Sequence, residues 1–142
     1  LAASAVMSDI SLIGREVTLE TDQLELSGGS ARFDYEVSDP AGLVTARIKT
    51  EDGTVVREFT GLAGTAGDVH SVYWDGLDDD GLPVPDALFT IEVEAETTDG
   101  DPVESRTYAS SVVEEVVFED GAPQLVLRNG GKARSGQIAS IR

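Results

Sequence analysis

Residues 88–96 read LFTIEVEAE and carry the clearest strand signal in this 142-residue chain. Alternate positions are apolar, with Phe89, Ile91, Val93 and Ala95 on one face and three glutamates on the other. A period of two is typical of a half-buried β-strand, whereas a helix repeats every 3.6 residues. We therefore expect the apolar face to pack in a core and the glutamates to face water.

Outward from this stretch the same alternation recurs in shorter segments separated by glycine-rich or proline-rich turns. The predicted strands are residues 16–20, 31–37, 43–49, 55–59, 69–74, 88–96, 112–118, 124–127, 132–134 and 138–141. The Asp52-Gly53 pair is a strong hairpin signal, because both turn positions tolerate positive φ. One alanine-rich stretch, residues 2–10, could form two turns of helix. The pattern as a whole predicts an all-β protein.

The spacing of the strands predicts two domains. Residues 29–108 contain six or seven strands about 8–12 residues apart, which is typical of an immunoglobulin or fibronectin III sandwich. Each flank has too few strands to fold alone. We therefore predict that residues 1–28 and 109–142 pair into one small discontinuous barrel with the sandwich inserted between them.

The composition excludes several functions. A net charge of −17 and a pI near 4.1 oppose binding to nucleic acid and to anionic membranes. The acidity is expected to keep an edge-rich β protein soluble, with a basic partner as the alternative. The absence of cysteine excludes disulfides, thiolate metal sites and a cysteine nucleophile. No apolar run approaches the roughly 18 residues that span a bilayer, and the first residues do not resemble a signal peptide.

Nothing in the sequence predicts catalysis or a cofactor. His70 is the only histidine and lies in a predicted strand between Val69 and Val72. No Gly-x-Ser-x-Gly elbow, phosphate-binding loop or dinucleotide fingerprint occurs. We interpret His70 as an ordinary strand residue and the protein as a non-enzyme.

An acidic loop, residues 75–86, raises the alternative of a calcium site. It holds five aspartates, and Asp78 to Gly81 resemble the start of a calcium loop. Counted from Asp78, however, the twelfth position is Phe89, where an EF-hand has a bidentate glutamate. We interpret the loop as a solvated turn, with weak cation binding as the alternative. Its aspartates are Asp75, Asp78, Asp79, Asp80 and Asp86.

The segments VYWDG at 72–76 and DGLPVPDALFTIEV at 80–93 together are more specific than their composition. They resemble the sandwich domains of the flagellar hook-cap (FlgD) family, although Ala87 stands where that family often has glycine. We expect the tryptophan to anchor the strand end, Asp-Gly to turn the chain, proline to preset the return and the two aromatic rings to pack together. The structural motif predicted here comprises Trp74, Asp75, Gly76, Gly81, Pro85 and Phe89.

Three further segments resemble the same family in the same order. They are SLIGREV at 11–17, the hairpin VTARIKTEDGTVVR at 44–57 and the tail 112–141. The resemblance implies that the small barrel is Tudor-like and carries a fibronectin III/Ig-like sandwich. Family members also carry an N-terminal export region before the first of these segments. The chain is therefore expected to be the C-terminal core, a fragment or processed form.

The resemblance implies a scaffold that caps the distal end of the growing flagellar hook and promotes hook-subunit polymerisation. Such a protein is exported through the flagellar type III apparatus and lies outside the cell at the hook tip. The implied partners are hook subunits and further copies of the chain, with a hook-length control protein as a third candidate. Partner-contact residues are not implied. The alternative is a generic secreted adhesion or carbohydrate-binding β-sandwich module.

Overall fold

The computed structural model describes residues 9–128 and 130–141, and it confirms the all-β prediction. A short 3-10 helix, Ser135–Gln137, precedes the last strand. The strands are β1 Glu16–Glu20, β2 Gln23–Glu25, β3 Ala31–Val37, β4 Leu43–Lys49, β5 Val55–Phe59, β6 His70–Trp74, β7 Leu88–Glu96, β8 Pro102–Val103, β9 Ser105–Glu119, β10 Ala122–Leu127, β11 Lys132–Ala133 and β12 Ile138–Ile141.

The predicted helix at residues 2–10 falls mostly outside the described residues. Asp9 and Ile10 are helical, and the amide of Leu12 then donates to the carbonyl of Asp9 at 3.0 Å in a turn. In the described parts of the chain, no helix is long and apolar enough to cross a membrane.

The chain divides into two compact units. The terminal unit comprises Leu1–Glu20 and Ser110–Arg142, and the sandwich unit comprises Thr21–Ala109. Residues 21–28 and Ala109, which the sequence assigned to the small barrel, therefore lie in the sandwich unit. The reason is burial, because Leu24 and Leu26 are buried in the core of the sandwich and β2 pairs with β7.

The sandwich unit is built from antiparallel strands in two sheets. One sheet has the order β2-β7-β4-β5, with β8 beside β7, and the other joins β6, β3 and the first residues of β9. In the first sheet, Ile48 lies opposite Ile91 and Val44 opposite Ala95. Phe89, Ile91 and Ala95 are buried as predicted, and Val93 is half-buried. The core is Leu24, Leu26, Phe33, Tyr35, Val37, Val44, Ala46, Ile48, Val72, Trp74, Phe89, Ile91, Ala95 and Ala109.

The terminal unit is a curled five-stranded sheet with the order β11-β10-β9-β1-β12, which forms a half-barrel. Its separate core contains Leu12, Val17, Leu19, Val113, Leu125, Leu127 and Ala133. Here the predicted strand at 112–118 is too short, because β9 already begins at Ser105. The first residues of β9 pair with β3, from Val37 opposite Ser105 to Asp34 opposite Tyr108. A long-range partner thus extends a segment whose local pattern is only weakly alternating.

The β4–β5 hairpin departs from the prediction in one respect. Gly53 has φ of +88°, but Asp52 keeps negative φ and uses its carboxylate instead, as an acceptor from the amide of Thr54 at 3.1 Å. Hydrogen bonds to Thr50 and Thr54 lower the pKa of Asp52 below its ordinary value. The turn therefore takes its shape from glycine at one position and from an aspartate side chain at the other.

Candidate functional site

Trp74 ends strand β6 and anchors the predicted motif. Its side chain is 1% exposed, and the indole Nε1 donates to the carbonyl of Leu77 at 2.9 Å. Its ring meets Phe89 edge-on, with centroids 5.2 Å apart and planes at 90°. The sequence predicted this contact between the two rings. A buried tryptophan whose N–H is satisfied fixes both the strand end and the start of the following loop.

Gly76 is the position where the turn requires glycine. Its φ is +76°, and a Cβ there would lie 2.5 Å from the carbonyl oxygen of Gly29. Its own carbonyl accepts the amide of Val84 at 2.8 Å. Gly81 also has positive φ, at +81°, but open space surrounds it. Gly76 is therefore fixed by close approach as well as by backbone angle.

The carboxylates of the acidic loop accept main-chain amides. Asp78 Oδ1 accepts from the amides of Asp80 and Leu82, each at 2.9 Å. Asp86 accepts from the amides of Gly28 at 2.9 Å and Gly29 at 3.3 Å. Within the described residues, no group of three or more His, Cys, Asp or Glu side chains could hold a metal ion. Asp78 therefore builds a local turn with its side chain, as expected for a solvated turn, whereas Asp86 binds the distant Gly28-Gly29 segment.

Asp79 connects the acidic loop to strand β5, because it lies along the outer edge of that strand. The amide of Asp79 donates to the carbonyl of Val56 at 3.0 Å. Its Oδ1 accepts from the amide of Glu58, also at 3.0 Å. The carbonyl of Val56 and the amide of Glu58 lie on the side of β5 that faces away from β4. The loop therefore covers this edge of the sheet.

Arg57 is a residue of this site that the sequence reasoning missed. Its guanidinium donates to Asp75 Oδ1 at 3.0 Å and to the carbonyl of Leu77 at 2.9 Å. It also lies over the ring of Phe59, 5.0 Å from the centroid. The sequence offered one indication of an ion pair here, because Arg57 is the only basic residue of β5 in a chain rich in aspartate. Arg57 ties the start of the acidic loop to the strand that the loop covers.

Strand β6 is an edge strand of the other sheet of the sandwich unit. It pairs with β3 and, among the described residues, with no other strand. Tyr73 is 71% exposed and Val69, just before the strand, is 59% exposed. The guanidinium of Arg32, opposite Tyr73 on β3, lies 5.7 Å from the centroid of the tyrosine ring. An exposed aromatic ring supported by arginine is a common element of protein–protein interfaces.

His70 takes part in packing at the start of β6. Its Nε2 lies 2.9 Å from the carbonyl oxygen of Thr65, and its ring contacts Tyr35 with centroids 5.1 Å apart. The Tyr35 hydroxyl donates to the carbonyl of Ala63 at 2.6 Å, and burial raises the pKa of Tyr35. This environment is that of an ordinary strand residue, as predicted.

Pro85 lines an open groove of about 580 Å³ in the sandwich unit, together with Phe89. The groove is bounded by the β4–β5 turn and by the start of β7. Its lining is mostly apolar and comprises Thr50, Glu51, Asp52, Val84, Pro85, Ala87, Leu88 and Phe89. Pro85 is exposed, so its contribution is to the course of the chain before β7.

The outer face of the β7–β4–β5 part of the sheet carries a network of ion pairs. Arg47 contacts Glu58 at 2.9 Å, Glu92 at 3.1 Å and Glu94 at 3.0 Å. Lys49 contacts Glu92 at 2.7 Å. The hydrogen bond from Lys49 lowers the pKa of Glu92, with a smaller contribution from Arg47. The carboxylate partners, led by Glu94, raise the pKa of Arg47. The glutamates of β7 thus face outward as predicted.

Comparison with known proteins identifies relatives of this chain. A family model described as the FlgD Ig-like domain matches residues 21–100. The basal-body rod modification protein FlgD of Salmonella typhimurium is 38% identical over 63 residues, which are 44% of this chain and 27% of that protein. The protein of the same name from Salmonella typhi matches to the same extent. The matched segment thus spans about a quarter of these relatives.

Solved structures show the same fold. FlgD from Xanthomonas campestris has a TM-score of 0.79 and 23% identity, covering 96% of this chain and 99% of that one. FlgD from P. aeruginosa has a TM-score of 0.80 and 24% identity, covering 92% and 98%. A truncated FlgD from Helicobacter pylori is more distant, with a TM-score of 0.56 and 18% identity over 93% and 94%. Since the family model alone matches more than half of the 142 residues, this chain belongs to the FlgD family.

Proposed function

We propose that this chain is a structural scaffold of flagellar hook assembly, which caps the distal end of the growing hook and promotes polymerisation of hook subunits. The observation that carries the proposal is the match of residues 21–100 to the FlgD Ig-like domain. The Salmonella relatives are named basal-body rod modification proteins, and the Xanthomonas structure is described in terms of hook capping essential for flagellar assembly.

The chemistry of the described residues supports a scaffold over a catalyst. The single histidine packs against Tyr35, and aspartates of the acidic loop bond to main-chain amides. The surface instead offers a strand edge, an exposed tyrosine and a network of ion pairs. Such features suit repeated and reversible contacts between proteins.

The partners and location follow from the same proposal. The contacts would be with hook subunits and with other copies of the chain, and a hook-length control protein is a further candidate. The protein would be exported through the flagellar type III apparatus and act outside the cell at the hook tip. The two units would be a fibronectin III/Ig-like sandwich and a Tudor-like small barrel that carries it.

A genetic experiment tests the proposal. Deletion of the gene is expected to leave basal bodies without hooks, and the same gene supplied in trans should restore the hooks. Electron microscopy of isolated basal bodies measures both outcomes. A deletion strain that assembles hooks of normal length would contradict the proposal. If that strain instead lost attachment to a surface or a glycan, the adhesion alternative would replace it.

A further inference from the structure

Three edges of the sandwich unit are short or occupied. The edge of β5 is covered by Asp79, through the contacts with Val56 and Glu58. The start of β9 is covered by Thr21, whose amide donates to the carbonyl of Thr107 at 3.0 Å and whose carbonyl accepts the Thr107 hydroxyl at 2.7 Å. Strand β2 is only three residues long. Short or covered edges give little opportunity for pairing with another chain.

Strand β6 differs from these three edges. It is five residues long, and among the residues that the structure describes its backbone pairs with β3 alone. Its sequence, HSVYW, holds no aspartate, glutamate, lysine, arginine or proline. Lysine, proline or an inward-pointing charge commonly protects an exposed edge from pairing. Because β6 has none of these, its outer edge is open to an additional strand.

The side chains beside this edge suit a protein ligand. Tyr73 and Ser71 project from the outer face, and Tyr73 is 71% exposed above Arg32. Val69 adds an apolar side chain at the start of the strand and is 59% exposed. An added strand would gain main-chain hydrogen bonds from β6 and side-chain contacts with Tyr73.

The charges near this edge favour a partner with basic residues over a second copy of the chain. Asp68 and Asp75 flank this strand, one near each end. Asp75 is ion-paired with Arg57 at 3.0 Å, but its side chain is 57% exposed and remains accessible to a ligand. If a second copy added its β6 antiparallel to this one, Asp68 of each copy would approach Asp75 of the other. Each molecule also carries a net charge of −17. Like charges placed opposite each other destabilise strand pairs, whereas basic residues at the two ends of a ligand would be attracted.

We propose that the open edge of β6 binds an extended segment of a partner protein, with an uncharged and β-branched centre and basic residues at both ends. The segment adds as a further strand beside β6 and packs a side chain on Tyr73. This inference concerns binding by the sandwich unit, and it holds whether or not the partner is a hook subunit.

The test uses the full 142-residue chain labelled with ¹⁵N and a synthetic peptide of alternating threonine and valine with two lysines at each end. We expect the peptide to shift the amide resonances of residues 70–74 and to slow their hydrogen exchange. A peptide with glutamates in place of the lysines should bind about tenfold more weakly at low salt. A peptide with prolines in its centre should not bind, because it lacks main-chain donors.

A pair of chain variants separates the edge from general electrostatic attraction. Tyr73→Ala should weaken binding of the lysine peptide roughly tenfold, as expected for a central aromatic contact. Val55→Ala is the matched control, since Val55 is 41% exposed on the covered strand β5, and it should leave the affinity unchanged.

Several results would overturn the proposal. They are resonance shifts that map outside β6, equal affinity for the proline peptide or the glutamate peptide, and equal losses in the two variants. Concentration-dependent association of the chain alone, with slowed exchange in residues 70–74, would show that a second copy occupies the edge instead.

Discussion

Strands β5 and β6 are both five-residue edge strands of the sandwich unit, but they present opposite surfaces. Along β5, Asp79 hydrogen-bonds to the carbonyl of Val56 and the amide of Glu58. Arg57 holds the covering loop through its contact with Asp75. Along β6, no strand in the described ranges 9–128 and 130–141 pairs with the outer edge, and Tyr73 is exposed beside it. The comparison indicates that the two edges have different roles.

The loop that covers β5 starts at the end of β6. Trp74 anchors that strand end, and Gly76 allows the chain to turn within contact distance of Gly29. The Trp-Asp-Gly motif therefore does more than end a strand. It directs an acidic loop across to the edge of β5.

The largest change in unfolding free energy is expected at Trp74, and its neighbour Tyr73 on the same strand serves as the comparison. Trp74→Ala removes a fully buried ring and its hydrogen bond to Leu77, so it should lower the free energy of unfolding by about 3–5 kcal/mol. Tyr73→Ala, at an exposed position of the same strand, should change it by less than about 0.5 kcal/mol. Urea denaturation measures both. A loss of comparable size at Tyr73 would mean that its ring stabilises the fold.

A smaller effect is expected from the cover of β5. Asp79→Ala removes the acceptor for the Glu58 amide and should cost about 1 kcal/mol in unfolding free energy. Hydrogen exchange of that amide should become faster. The matched control is Asp80→Ala, at an exposed neighbouring carboxylate, for which we expect less than about 0.5 kcal/mol. Equal effects of the two variants would contradict the role of Asp79 as an edge cover.

The smallest effect concerns the ion pairs on the outer face of the sheet that contains β5. The pKa of Glu92 is lower in the folded state than its ordinary value of 4.5, so its charge stabilises the fold above that pH. The stabilisation is lost as the pH falls through the lowered pKa. The Glu92 side chain is 44% exposed, and solvent screening should keep the cost of Glu92→Gln below about 1 kcal/mol.

Denaturation curves recorded between about pH 3 and pH 6 measure this effect. The Glu92→Gln variant should lose part of the acid-limb dependence of stability. Exposed Glu51→Gln serves as the control and should leave that dependence unchanged. If both variants kept the wild-type pH profile, the ion pairs would contribute nothing measurable.

The sequence predicted the regular strands well because their signal is local. In β7 the alternation separated Phe89, Ile91 and Ala95, which are buried, from the glutamates that form ion pairs. The contact of Trp74 with Phe89 was also predicted. Three segments were missed, namely β2, β8 and the first residues of β9. The partners of β2 and of the start of β9 are distant in sequence, whereas β8 pairs with the neighbouring β7 but is only two residues long.

The candidate site was predicted only in part for the same reason. The acidic loop was interpreted as a solvated turn, which fits Asp78 and its bonds to nearby amides. Asp79 instead bonds to Glu58, 21 residues earlier, and no local pattern indicates that contact. Arg57 was missed because its partners at Asp75 and Leu77 come together only in the folded sandwich.

By itself, the sequence determined the all-β class, the core face of the main strand and the residues that resemble the FlgD family. These properties depend on alternation, turn chemistry and motif order, all of which are local. Only the tertiary structure decided that residues 21–28 belong to the sandwich unit, that the acidic loop covers β5 and that β6, within the part of the chain that the structure describes, pairs with β3 alone. Those outcomes depend on which strands pair across long separations, and a backbone edge has no side-chain pattern of its own.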